Sequence, residues 1–480
     1  MIAKLLIKML QVILLILLGS NLSKAQIKNG GFEEQNSSGQ LLSWGLNNQD
    51  SANNKLQLSS DKYQGEASLF FEKNQPQAML MASTRISIET PGKAKLKITA
   101  FAKTNTEQLI SNFYLQTFDK DNKRIGGDGS SINLAPDKKG EWQKVDFSII
   151  ISPEIKTGIL FINLGGKGDL FIDDLKTEWV TEKASPEIQT FAEEALNIVK
   201  TNSIVSDSID WGKVQDELSL ICLGLKKESD EAEITNYLIS ELRMAGDNHS
   251  FYMSPSQFKS YTGTPVNKNN TTFPTPSGYM LKDQIAYVNV PSFGSTFPES
   301  VQEFADSLNN IVLKLQAQHP KGWIIDLSEN TGGNMHPMIA GLNALIIDGT
   351  AITFSNKTKD SPLHSELGKF GSITLTQKPK SRVEEKIAVL IGPKTASSGE
   401  MTLITLLGMP NVRTFGSPTA GFTTANSFIN LSNAGAFSLA TSLCKDRKGN
   451  LYQGKIEPQK RVDSNIKEDV QTTAINWILE

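Results

Sequence analysis

The hydrophobic period of this chain changes near residue 185, and that change limits the folds open to it. From about residue 27 to 180, apolar residues recur at every second position. Runs of this kind are Lys93 to Lys103, Asn112 to Phe118, Val145 to Ile151 and Gly158 to Leu164. Side chains alternate across a strand, so period two broken by polar turns predicts an all-β module. Gly165-Gly166-Lys167-Gly168 is the clearest of those turns. At Ser185-Pro186 an N-cap residue precedes a proline at the first helical position. Ile188, Phe191, Ala192, Ala195, Leu196 and Val199 then follow at helical spacing. The helical pattern continues through Trp211, Val214, Leu218 and Leu223, then Ile234, Leu238 and Leu242. It stops at Gly246-Asp247-Asn248-His249-Ser250.

A third texture follows a Thr/Pro/Asn-rich linker over about 260–277. Ile285 to Val290 reads as a strand and Val301 to Leu315 as a helix. Trp323 to Leu327 is a buried strand, followed by Gly332-Gly333 and a helix through Ile339, Leu342 and Leu345. Ile387 to Ile391 is another, followed by Thr395 to Glu400 and a helix through Leu403, Leu406 and Leu407. Strands alternating with helices predict a parallel or mixed sheet with helical cover. The chain of 480 residues is thus a multidomain protein: a leader over 1–25, a β-sandwich over 26–181, a small helical region over 185–260 and an α/β core over 278–480.

The leader carries Lys4 and Lys8, an apolar run from Met9 to Leu18, and small residues at Ser23-Lys24-Ala25. That is the layout of a secretory signal, and the run is short for a membrane span. The mature chain is expected to begin at Gln26, in the periplasm or outside the cell, with no membrane attachment. A net charge of −3, with lysines spread along the chain, gives no basic footprint for nucleic acid. Cys222 and Cys444 are the only cysteines, and a disulfide and two buried free thiols both stand open. Four histidines and two cysteines without ligand spacing argue against a zinc site and the metallohydrolase chemistry that needs one.

The β module opens with Asn29-Gly30-Gly31-Phe32-Glu33 and closes with Leu170-Phe171-Ile172-Asp173-Asp174. This pairing resembles jelly-roll, carbohydrate-binding-like sandwiches, in which the first and last strands lie side by side. The resemblance implies a glycan ligand. Acidic residues at both ends, Glu33, Asp173 and Asp174, could instead be solvated strand ends or hold a structural calcium through oxygen ligands.

The two strand–turn–helix units share one design. A helix N-terminus exposes unpaired N–H groups and the positive end of the dipole, so a nucleophile or an oxyanion placed there is stabilised. Ser397 and Ser398 stand where the second helix begins, and serine there is also the commonest N-cap. Gly332 and Gly333 stand at the first, where glycine lets an N–H approach a reacting carbonyl. A nucleophilic serine needs a base. His319 and His364 lie in polar surface segments, whereas His336 and His249 both remain candidates on periodicity alone.

The order of segments resembles the tail-specific, C-terminal-processing and tricorn-core serine peptidases. Asp326-Leu-Ser-Glu-Asn-Thr-Gly-Gly-Asn334 is close to that family's Asp-Leu-Arg-x-Asn-x-Gly-Gly, with Ser328 in the place of arginine. Thr395-Ala-Ser-Ser-Gly-Glu400 matches its nucleophile segment. The Ser–Lys branch has a lysine where this chain has Phe422, within Thr419-Ala420-Gly421-Phe422-Thr423, and phenylalanine accepts no proton. Lys455 reads more simply as a strand lysine. The tricorn-core-like branch implies a triad instead: Ser397 as nucleophile, His249 of Gly246-Asp247-Asn248-His249 as base, and Glu457 of Gly454-Lys455-Ile456-Glu457-Pro458 as orienting carboxylate. The oxyanion donors implied are the N–H groups of Ser398 and of Gly332 or Gly333. The implied fold is a ClpP/crotonase-like α/β core acting on peptides or proteins without a required cofactor. Ser250 to Lys282 is too short for the PDZ domain that many relatives carry there. An inactive glycan- or surface-binding protein and an esterase using the same triad are the competing readings.

Overall fold

A computed structural model describes residues 24–48, 50–75, 80–262, 274–462 and 467–480. The leader, apart from its last two residues, lies outside them. The chain divides into two compact units, residues 1–189 with 215–230, and residues 190–214 with 231–480.

The first unit is built on two antiparallel sheets. One orders the strands Lys24–Ala25, Leu80–Glu89, Thr157–Leu164, Ser111–Phe118 and Arg124–Ser131, with Trp44–Asn48 also paired to Leu80–Glu89. The other orders Asn54–Ser59, Ser68–Lys73, Gly168–Val180, Ala94–Lys103 and Gln143–Ile151. The alternation read in the sequence is their pleat. Phe113, Leu115, Leu160 and Ile162 of one sheet, and Leu96, Ile98, Phe147 and Ile172 of the other, are buried in one core. The first and last strands are not ladder partners, because Lys24–Ala25 pairs with Leu80–Glu89. The opening segment does touch the last strand: Leu175 N–H donates to Gly30 C=O at 2.9 Å. A Cβ at Gly30 would lie 2.1 Å from Leu175 O, which accounts for a glycine there.

Glu33, Asp173 and Asp174 each accept hydrogen bonds from protein groups. Glu33 accepts from the N–H groups of Glu66 and Ala67, and Asp173 from those of Tyr63, Gln64 and Asp174. Asp174 is bonded by Gln64 Nε2 and Lys176 Nζ. Their lone pairs tie down the loop around residues 63–67. Among the described residues, no three His, Cys, Asp or Glu side chains are grouped to hold an ion.

The expected helical region is divided between the units, residues 215–230 belonging with the sandwich. The cause is local. Lys95 Nζ donates to the carbonyls of Ile221 and Leu223, Lys93 pairs with Glu217 at 3.0 Å, and Gly224 N–H donates to Glu182 C=O. Cys222 and Cys444 are both buried free thiols.

The second unit holds the α/β core. Its mixed sheet orders Ser277–Met280, Ile285–Asn289, Gly322–Asp326, Lys386–Ile391, Val412–Gly416 and Lys460–Arg461. All neighbours are parallel except the first pair. Gly322–Asp326 is buried at every position, as expected of a parallel strand covered on both faces. One face packs Trp323 and Ile325 against Phe304, Leu308 and Val312 of the helix Pro298–Gln316. The other packs Ile324 and Phe415 against Ala474 and Ile478 of the helix Lys467–Leu479. A second, antiparallel sheet is centred on the long strand Ala436–Asp446, which pairs with Phe251–Met253, Gly349–Ser355, Thr424–Asn430 and Leu451–Tyr452. Among the described residues no helix is long and apolar enough to cross a membrane.

Candidate active site

The site forms where the parallel strands end. The strand Gly322–Asp326 ends at Asp326, a nearly fully buried carboxylate. It accepts from Ser328 N–H at 2.9 Å, from Ser328 Oγ and Lys467 Nζ at 2.6 Å each, and from the Tyr287 hydroxyl. Burial opposes ionisation, but these donors together hold its pKa below the usual carboxylate range. Ser328 therefore caps this carboxylate.

The segment then turns back through Asn330. Its backbone carbonyl accepts from Ala396 N–H at 2.9 Å and its Oδ1 accepts from Gly332 N–H at 2.9 Å. Asn330 therefore splices the glycine turn to the serine turn. Gly332 and Gly333 have φ of 106° and 115°. A Cβ on Gly332 would lie 2.9 Å from Ser397 Cβ and 3.1 Å from Ser398 N, and one on Gly333 would lie 2.1 Å from Phe293 O. Both positions need glycine for conformation and for space.

After the strand Lys386–Ile391, Thr395 locks the second turn. Its Oγ1 donates to Leu327 C=O at 2.8 Å and accepts from Gly392 N–H at 3.0 Å. Ser397 then sits at φ 51°, ψ −119°, a strained conformation for a residue with a Cβ, just before the helix Ser398–Leu406. Glu400, one turn into that helix and fully buried, holds the strained residue. Its Oε2 accepts from Ser397 N–H at 2.9 Å, and its Oε1 accepts from Thr419 Oγ1 at 2.5 Å and Gly421 N–H at 2.9 Å. Burial pushes the Glu400 pKa up, against these hydrogen bonds. Glu400 was not singled out in the sequence, although the serine three residues before it is the signature of a capping box.

The helix Glu231–Met244 ends in Gly246 at φ 98°, with Asp247 N–H donating to Leu242 C=O at 2.9 Å. Asp247 then folds the following turn, accepting from the N–H groups of His249 at 2.9 Å and Ser250 at 3.0 Å. Asn426 Nδ2 donates to His249 C=O at 2.9 Å, fixing the turn to the second sheet. His249 Nε2 lies 3.0 Å from Ser397 Oγ, and its Nδ1 lies 2.8 Å from Thr424 Oγ1. Phe422 stacks on the imidazole, with ring centroids 5.3 Å apart and planes 25° apart. The residue that stands in the place of a lysine thus packs on the base. Burial lowers the His249 pKa, with Asp247 acting in the opposite direction, and keeps the ring neutral at pH 7.

The remaining residues singled out in the sequence fall elsewhere. Ser398 Oγ donates to Gly333 C=O at 2.7 Å and is occupied. Gly332 N–H is committed to Asn330, whereas among the described hydrogen bonds the N–H groups of Gly333 and Ser398 have no acceptor. Glu457 does not reach the imidazole: its side chain is 65% exposed and pairs at 3.8 Å with Arg461. Ile456 and Pro458 on either side of it are buried, so the alternation of the segment turns Glu457 outward. Thr424 occupies the place expected for its carboxylate. His336 packs near Phe370 and His364 faces Thr350, neither in contact with Ser397. Lys455 is exposed.

Residues 284–462 match Peptidase family S41. The nisin-resistance protein of Lactococcus lactis subsp. lactis is 27% identical over 298 residues, 61% of this chain and 87% of that protein. A lipoprotein of Streptococcus agalactiae of known structure is 25% identical, with a TM-score of 0.52 over 62% of this chain and 98% of its own. A peptidase structure from Parabacteroides merdae gives a TM-score of 0.44 at 18% identity, covering 61% of this chain and 97% of its own.

Proposed function

We propose that this chain, whose residues 284–462 match Peptidase family S41, is a serine peptidase that cleaves peptide bonds with Ser397 as nucleophile and His249 as base. The observation that carries the assignment is the 3.0 Å approach of His249 Nε2 to Ser397 Oγ. A Nδ1–H donated to Thr424 Oγ1 leaves Nε2 free to take the serine proton, which it later returns to the leaving amine. The N–H groups of Ser398 and Gly333 hold the oxyanion, one from a helix N-terminus and one from the glycine turn. Gly332 supplies space and Asn330 fixes the distance between the two turns.

In this reading a neutral hydroxyl, not a carboxylate, orients the base. Thr424→Val removes one neutral hydrogen bond, worth about 1 kcal/mol. It should lower kcat roughly tenfold, whereas Glu457→Gln should leave kcat within about twofold. The reverse ranking would return the orienting role to Glu457. The same kinetics give the pH dependence. The working form of His249 is neutral and its pKa lies below the ordinary value of 6.5. The acid limb of kcat/KM therefore falls below pH 6.5, and activity is lost as pH drops through that limb. A limb above 6.5 would contradict a buried, desolvated base.

The sandwich gives the chain a second, binding role. On the outer face of its six-stranded sheet, Phe161 and Tyr114 are cross-strand partners flanked by Ser83 and Gly129. Their rings lie 6.5 Å apart and half-buried, with small residues on both sides. Asn163 donates to Asn112 beside them, and among the described residues its buried Oδ1 has no partner. Half-exposed aromatic rings flanked by small residues suit the face of a sugar. Affinity electrophoresis of the full chain should show retardation by a soluble polysaccharide, reduced at least about tenfold in Tyr114→Ala/Phe161→Ala. Migration unchanged in a panel of neutral and acidic polysaccharides would remove the glycan role.

A further inference from the structure

Ser397 has different chemistry on its two flanks. The glycine turn approaches Ser397 Cβ and Ser398 N at Gly332, beside the proposed oxyanion donors, and the imidazole of His249 lies 3.0 Å from Ser397 Oγ. In acyl transfer the proton leaves the base for the amine of the departing fragment, so that fragment must pass on the imidazole flank. A depression of about 380 Å³ opens there, bordered by His249, Phe422 and Thr424. Neither Ser397 nor any of Gly332, Gly333 and Ser398 lines it.

Its character follows from its walls. Ile204, Val205, Phe422 and Leu443, all half-buried, line it together with the polar Ser208, Asn248, Thr424 and Gln453. The one charged group among the lining residues is Asp247, whose carboxylate is buried and occupied by the backbone N–H groups of His249 and Ser250 and by Ser250 Oγ. Mixed walls, with Ser208, Asn248 and Gln453 beside the four apolar side chains and no available charge, accept an uncharged side chain and disfavour a charged one, whose desolvation would go uncompensated; the apolar part of the lining suits an aliphatic group. We propose that this depression is the subsite for an uncharged aliphatic residue on the leaving-group side of the scissile bond, within the first two positions after it. The proposal rests on the assignment of Ser397 and His249, and it makes the departing segment a determinant of substrate choice.

The test is the cleavage pattern of the full chain on a complex peptide library, read by mass spectrometry. Wild type should enrich Val, Leu or Ile at one of the first two positions after the cut. Val205→Glu, on a half-exposed loop residue, should reduce the preference for aliphatic residues over lysine there by at least tenfold, leaving positions before the cut unchanged. Val205→Trp fills the same space without charge and should shift the preference towards Ala or Gly. The proposal fails if enrichment is confined to positions before the cut, or if both variants keep the wild-type preference after it. A Ser397→Ala chain that still cuts the library would instead overturn the underlying assignment, so the two failures are distinguishable.

Discussion

Ser397→Ala is expected to abolish peptide hydrolysis, lowering kcat/KM by about 10⁴-fold or more. The variant keeps the hydrogen bond from the N–H of residue 397 to Glu400 that holds the turn. It loses the oxygen that lies 3.0 Å from His249 Nε2. His249→Ala should cost nearly as much, since serine without a base is barely ionised at neutral pH. The double variant should be no worse than either single one, because nucleophile and base act as a unit. Additive losses would mean that the two side chains serve separate steps. Ser398→Ala provides the contrast. Its hydroxyl is held by Gly333 C=O at 2.7 Å while its N–H carries the proposed role, so the loss should be far smaller.

Gly332→Ala should be nearly as damaging without touching any atom of the catalytic pair. The added methyl would stand 2.9 Å from Ala396 O, 2.9 Å from Ser397 Cβ and 3.1 Å from Ser398 N. It therefore intrudes on the space in front of an oxyanion donor. A φ of 106° strains any residue with a Cβ. Loss of one oxyanion donor typically costs about 10²–10³ in kcat, and the variant should fall in that range. Circular dichroism separates this from unfolding, since a native far-UV spectrum with depressed kcat is the expected combination. A folded variant within about threefold of wild-type kcat would show that the two turns do not jointly bind the transition state.

The parts of this site that were legible in the sequence are those fixed by contiguous residues. A strand, a small-residue turn and a helix N-terminus place Ser397, Ser398, Gly332 and Gly333 with little help from the rest of the chain. His249 was separated from His336 only by the resemblance of Gly246-Asp247-Asn248-His249 to the tricorn-core-like branch; the fold uses Gly246-Asp247 to cap one helix and to shape the turn that carries the imidazole. Thr424 was not legible. Its hydroxyl meets the imidazole 175 positions away in sequence, through strand pairing that no local pattern encodes. Glu457 was misplaced for a related reason: the motif gives the residue type, but the buried Ile456 and Pro458 decide which way its side chain points. Gly332 kept its position and changed its role, because Asn330 takes its N–H. Glu33 and Asp173 accept from loop amides, a role that acidic residues at strand ends can fill as readily as holding an ion.

The central claim is that Ser397, activated by His249, is the nucleophile. The measurement closest to it is mapping of a fluorophosphonate adduct by peptide mass spectrometry on the full chain at neutral pH. One adduct on Ser397, absent in Ser397→Ala and strongly slowed in His249→Ala, is the predicted result. An adduct on Ser398, or labelling at Ser397 that proceeds at the wild-type rate without His249, would contradict it.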